Sequence, residues 1–287
     1  MSSAASAASA PHLGVAVSLT DQDAGIVEVA VAVEEVGLES LFLTEHSHVP
    51  VSRRDLLEDP FHARHRRLLD QFTALGAAAA VTSRLRLGTS VCVVPQHDPI
   101  QLAKQVATID HISAGRFLFG VAAGWLHEEL RNLGVEPSQR WDLMDEHLAA
   151  MKEIWTHEEA EFHGSLVDFE PLWMWPKPVQ APYPPVLVGG MGPRSLRLVA
   201  EHGDGWLPVI EDADELETGL TTLRRLCDER SRPMPEVTVC LDDLDKDLLL
   251  ACGRHPVARI VVMAPTDDLA ELRSFLTTVA ALRHHLS

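Results

Sequence analysis

Basic residues are scarce: 24 lysines and arginines stand against 42 aspartates and glutamates, a formal net charge of −18. A surface that acidic repels nucleic-acid phosphates and anionic lipids, so neither nucleic acid nor a membrane surface is expected as a partner. Any anionic ligand must be held by a local basic patch. Long apolar runs are also missing, and no segment has the length of continuous hydrophobic sequence that crosses a bilayer. The opening MSSAASAASAPH lacks the basic start and apolar centre of a secretory signal and is expected to be a disordered tail over residues 1–11. Cysteine is sparse: Cys92, Cys227, Cys240 and Cys252 lie far apart with no CxxC pair. That pattern fits a reducing cytoplasm and buried thiols rather than a disulfide framework. Walker and GxGxxG motifs are absent, as are internal repeats, so no nucleoside triphosphate or ordinary dinucleotide site is expected.

What is present is a regular alternation. The 287 residues, 46 % of them hydrophobic, match the usual size of one eight-fold α/β barrel. Strands are predicted at 13–18, 41–43, 84–91, 116–121, 185–188, 205–207, 236–241 and 257–262. Helices are predicted at 22–36, 68–81, 98–112, 126–156 (interrupted near 134–137), 193–202, 213–230, 244–252 and 267–284. Asp98-Pro99 is a helix start, since Asp caps and Pro suits the first turn. Eight strand–helix units argue a (β/α)₈ TIM barrel over 12–287 as a single domain, with a doubly wound open sheet as the alternative. Two insertions break the rhythm: the His/Arg-rich segment 45–67, and 159–184, with a hairpin EFH–GS–LVDF followed by a Pro- and Trp-rich stretch. Long loops in compact domains are usually functional, and loops after strands lie at a barrel's catalytic end.

The second strand ends in Glu45-His46-Ser47-His48. Two histidines one residue apart can ligate a metal, but a barrel metal site needs further ligands from other strand ends. Those ends read Ser90-Val91, Ala122-Ala123-Gly124, Gly189-Gly190, Pro208, Asp242-Asp243 and Met263-Ala264. None supplies a histidine, and one supplies carboxylates, so no metal is expected. Small, uncharged strand ends can instead bed a planar ring against the backbone, although ordinary tight turns use the same residues. Gly189-Gly190-Met191-Gly192-Pro193-Arg194 follows an apolar strand and opens a helix, where free N–H groups and the helix dipole favour an anion. The run 53–67, with Arg53, Arg54, Arg64, Arg66 and Arg67, either holds a polyanionic tail or forms a solvated helix start with internal ion pairs.

Taken in order, these segments resemble the luciferase-like monooxygenase superfamily, particularly its deazaflavin-dependent oxidoreductases. The matching stretches are LGVAVSL at 13–19, VEEVGLESLFLTEH at 33–46, RLRLGTSVCVVPQHDPIQLAKQVATIDHISAGRFLFGVAAGW at 84–125, FHGSLVDF at 162–169 and PKPVQAPYPPVLVGGMGPRSLRLVAEHGDGW at 176–206. The resemblance implies a TIM barrel with its cofactor at the C-terminal mouth. It implies His46 as the proton-transferring catalytic residue and a non-prolyl cis peptide at Ser90-Val91 behind the ring. The implied cofactor-binding positions are Glu45, Ser90, Val91, Val93, Ala123, Gly124, Gly189, Gly190 and Met191, with the glycine turn at the phosphate. Two departures argue against a sugar-phosphate substrate: Trp125 stands where the sugar-phosphate dehydrogenases of the group carry a glutamate, and Pro50 where they carry a tryptophan. The activity implied is hydride transfer between coenzyme F420 and a small organic substrate. One alternative is an FMN-dependent monooxygenase using reduced flavin and O₂; another is a non-catalytic flavin-binding barrel. A homodimer is expected from the relatives.

Overall fold

The computed structural model of the chain describes residues 10–266 and 268–286, so most of the tail expected at 1–11 lies outside the described residues. Short β-branched and leucine-rich runs form β1 (His12–Val17), β2 (Ser40–Leu43), β3 (Arg86–Thr89), β4 (Cys92–Val93) and β5 (Phe117–Ala122). After the β6 (Ala160–His163) and β7 (Asp168–Leu172) hairpin come β8 (Val186–Gly189), β9 (Gly205–Leu207), β10 (Glu236–Leu241) and β11 (Arg259–Met263). Parallel pairing runs β3-β2-β1-β11-β10-β9-β8-β5, and β3 also pairs with β5, which closes the ring. The expected TIM barrel is therefore the fold, and the open sheet is not.

Helices cover the outside: α1 (Ile26–Glu35), α2 (Pro60–Arg64), α3 (Gln71–Val81), α4 (Pro99–Ile112), α5 (His127–Asn132), α6 (Arg140–Thr156), α7 (Pro193–His202), α8 (Ala213–Glu229), α9 (Lys246–Cys252) and α10 (Leu269–Ala281). Asp98 caps α4 by accepting from Ile100 and Gln101 N–H at 3.0 and 2.9 Å. Leu75, Val106, Leu148, Leu223 and their neighbours fill the layer between helices and sheet. Inward-facing Ala16, Phe42, Leu118, Leu187, Leu207, Cys240 and Val261 fill the barrel itself. At its N-terminal end Arg259, 3 % exposed, reaches both Glu39 oxygens at 2.6 Å and Thr238 Oγ1 at 3.1 Å. Among the described residues no helix is long and apolar enough to cross a membrane.

One departure from the predicted strands shapes the site. The expected single strand 84–91 stops at Thr89 and resumes as β4, with the Ser90-Val91 peptide between them in the cis form. Gly88 pairs with Leu118 and Cys92 with Val121, so four steps along β3–β4 stand against three along β5. The surplus residue interrupts the pairing, as a bulge does. Gly120 makes room for it: a Cβ there would collide with the Thr89 carbonyl oxygen. Thr89 Oγ1 then donates to Gly120 O at 2.7 Å, fixing the bulge to β5.

Candidate active site at the barrel mouth

A cavity of about 330 Å³ opens where β3–β4, β5 and β8 end. Its walls are mostly main chain and small side chains: Ser90, Val91, Val93, Ala122, Ala123, Gly124, Gly189 and Gly190, with His46, Trp125, Trp141 and Glu129 at the edges. The structure thus brings eight of the ten sequence-derived site residues to one surface. Trp206, fully buried, donates from Nε1 to Gly190 O at 2.9 Å and fixes the glycine turn.

The remaining two, Glu45 and Met191, lie elsewhere. Glu45 turns behind the wall: one oxygen accepts Val93 N–H at 2.5 Å and the other pairs with His97 Nε2 at 2.8 Å. Its role is to secure the chain just past the cis peptide, not to line the cavity. Burial disfavours the charged imidazolium of His97, yet the Glu45 carboxylate outweighs it and holds the pKa above the usual histidine value. Met191 faces a separate cleft between α7 and α8, with Pro193, Asp214 and Thr218.

Sequence reasoning missed Glu129, on α5. It is 1 % exposed, and its Oε2 meets His46 Nδ1 at 2.7 Å. Its Oε1 accepts Ser47 N–H at 2.7 Å and Ser47 Oγ–H at 2.9 Å. Burial would push the Glu129 carboxyl up, but the His46 and Ser47 hydrogen bonds prevail and hold it below the usual carboxylate range. An ionised Glu129 assigns the proton of the neutral imidazole to His46 Nδ1, which leaves Nε2 as the nitrogen able to exchange one. A signal existed: Leu126, Glu129 and Leu130 fall on one face of a helix, placing a carboxylate on the buried stripe. In the first turn it reads as ordinary complementarity to the helix dipole.

His48 does not join His46 as a ligand pair. Its Nε2 accepts from Asn132 Nδ2 at 2.8 Å and its Nδ1 meets Ser47 Oγ at 2.8 Å, which ties the loop to α5. Three of the five arginines of 53–67 are matched by acids. Arg53 meets Asp55 and Glu128 at 3.1 and 3.4 Å, Arg64 meets Asp23 at 2.6 Å, and Arg67 meets Asp21 at 2.6 Å. Internal ion pairing, not a polyanion site, describes these three. Arg194 and Arg197 line a polar cleft with Asp142, Asp145 and Glu201. The same 51–67 segment lays His65 over the site, its ring stacked on His46 at 4.3 Å and 21°.

A closed eight-stranded barrel with a buried histidine–carboxylate pair, His46–Glu129, at the C-terminal mouth has the architecture of a barrel enzyme whose chemistry sits on the loops after the strands. The family model described as luciferase-like monooxygenase matches residues 5–243, and the chain belongs to that family of oxidoreductases. An uncharacterised protein of Mycobacterium tuberculosis is 43 % identical over 211 residues, 71 % of this chain and 74 % of that protein. The FMNH(2)-dependent dimethylsulfone monooxygenase of Pseudomonas putida is 33 % identical over 140 residues, 48 % of this chain and 38 % of that protein. Among solved structures, monooxygenase RslO1 of Streptomyces bottropensis superposes with a TM-score of 0.77 at 19 % identity, covering 96 % of this chain and 99 % of that one. The oxygenating constituent of 3,6-diketocamphane monooxygenase of Pseudomonas putida, solved with FMN, gives 0.68 at 18 % identity, covering 84 % and 71 %.

Proposed function

We propose that the chain is an oxidoreductase that binds coenzyme F420 in the mouth cavity and exchanges hydride with a small organic substrate. The observation that carries this reading is His46, held through Nδ1 by a buried carboxylate at the edge of an apolar, backbone-walled cavity. The residues present fit a planar ring system. Val91 and Val93 offer flat apolar contact, Ala123 and Gly124 leave the main chain bare, and the Gly189-Gly190 turn leads to the N-terminus of α7, where free N–H groups suit a phosphate. When bound, the deazaflavin supplies a carbon that gives or takes hydride. His46 Nε2 moves the accompanying proton, Glu129 keeps the imidazole oriented, and the apolar wall favours the ring over water.

A second reading is FMN-dependent monooxygenation, favoured by the FMNH(2) dependence in the name of one relative and by the shared fold. Titrating the purified chain with F420 and, separately, with FMN while following cofactor fluorescence distinguishes them. Tighter F420 binding is the expected result. Preference for FMN transfers the site to the monooxygenase reading, and binding of neither defeats both.

A further inference from the structure

His46, Ser90, Val91, Trp125, Val209 and Cys240 border a second chamber of about 220 Å³ as well as the mouth cavity of about 330 Å³. The chamber sits over the barrel axis. Its other walls are Phe61 and His65 from the 51–67 segment and Val261 and Met263 from β11, with Asp242 at the exposed rim. Whatever sits there shares His46 and Val91 with the occupant of the mouth cavity.

His65 is 5 % exposed, and its Nδ1 is buried without a hydrogen-bond partner; among the described residues no hydrogen bond is formed by its Nε2 either. Its contacts are rings: His46 at 4.3 Å, Phe61 at 5.1 Å, His62 at 5.3 Å and Trp125 at 6.5 Å. Buried polar groups are nearly always satisfied, so an imidazole with neither nitrogen engaged, in the wall of a chamber, points to a partner that arrives from outside. Burial, with His46 and His62 adding like charge, lowers the His65 pKa to about 3, so it meets that partner as a neutral ring with one donor and one acceptor. Asp242, whose carboxyl is pushed up by burial and by nearby Glu211 and Asp243, opposes an anionic ligand. A cation would leave water for apolar Phe61, Val261 and Met263 and a group of imidazoles.

We propose that this chamber is the substrate subsite and that it takes an uncharged, mainly apolar ring compound whose hydroxyl or carbonyl hydrogen-bonds to His65. The proposal rests on the larger cavity being the cofactor's. The test is calorimetric titration of the full chain, saturated with whichever of F420 and FMN it binds, using 2-naphthol, 2-naphthoate and 2-naphthylmethylammonium. The naphthol is expected to bind at least about tenfold more tightly than either charged analogue, and His65→Phe to weaken it about tenfold, the share of one hydrogen bond. Met263→Trp, which fills the chamber from β11, is expected to abolish naphthol binding while leaving cofactor binding intact. Naphthol binding that ignores both variants, preference for a charged analogue, or no naphthol binding at all overturns the proposal. If His65→Phe fails to fold by circular dichroism, Met263→Trp decides. If neither cofactor binds, the cofactor reading falls, and naphthol binding by the cofactor-free chain with its loss in Met263→Trp still decides the chamber.

Discussion

Glu129 grips both His46 and the two residues after it, so its effect on chemistry is separable from that of the imidazole it holds. His46→Ala removes the proposed proton-transfer group and is expected to lower turnover by about 10²–10⁴-fold with a native circular dichroism spectrum. Glu129→Gln keeps the shape but not the charge. It is expected to cost about 10²-fold in turnover through misorientation, and to shift the acid limb of the pH–rate profile, which a purely structural residue would not move. Steady-state rates across pH 5–9 read both; an unchanged profile in Glu129→Gln removes its positioning role. At this scale the sequence was half legible. His46 sits at a strand end, where function concentrates. Glu129 is hidden because a helix-start carboxylate looks like dipole complementarity, and Glu45 misleads because adjacent residues on a turn leave in opposite directions.

Among the elements, the β6–β7 hairpin is pinned from a distance. Glu146 on α6 accepts Ser165, Leu166 and Val167 N–H at 2.9, 2.7 and 2.8 Å, and these bonds outweigh the effect of burial and hold its carboxyl below the usual range. Glu146→Ala frees that turn at a cost of roughly 2 kcal/mol. The expected outcome is faster proteolytic cleavage near 164–167 with only a small fall in the global melting temperature; equal cleavage rates would show that the turn holds itself. Strands and helices of the barrel were legible because their periods and caps are local: β9, β10 and α7 match the sequence reading residue for residue. The β3–β4 break was not readable from pattern, since RLRLGTSVCVV is uniformly strand-like and the interruption is set by packing against Gly120. Helix 22–36 starts late, at Ile26, because Asp23 accepts Thr20 N–H and pairs with Arg64, holding 20–25 as a turn.

For the whole molecule, acid is the weak direction. Burial raises the Glu39 carboxyl, but the Arg259 hydrogen bonds win and leave it below 4.5; its stabilisation is therefore complete above 4.5 and disappears as pH falls through the lowered value. His65, lowered from 6.5 to about 3, resists the proton that the unfolded chain takes up, so stability also declines from pH 6.5 downward. Melting temperatures measured from pH 7 to 4 are expected to fall less steeply in His65→Phe than in the wild type; parallel curves would rule out His65 as the source. The wall of the mouth cavity has a different consequence. Since Ala122, Ala123, Gly124, Gly189 and Gly190 have next to nothing beyond their main chain, this part of the wall has no side chains to trim, and only additions register there. Gly124→Ala, at φ +84° with its new Cβ 2.7 Å from Val93 Cγ1, is expected to lower cofactor affinity by about tenfold or more while Trp125→Ala changes it less, as fluorescence titration would read. If the wall is the ring seat proposed above, a lineage carrying this barrel can replace most side chains around the rim, and with them its choice of substrate, while inheriting the backbone-lined part of that seat unchanged.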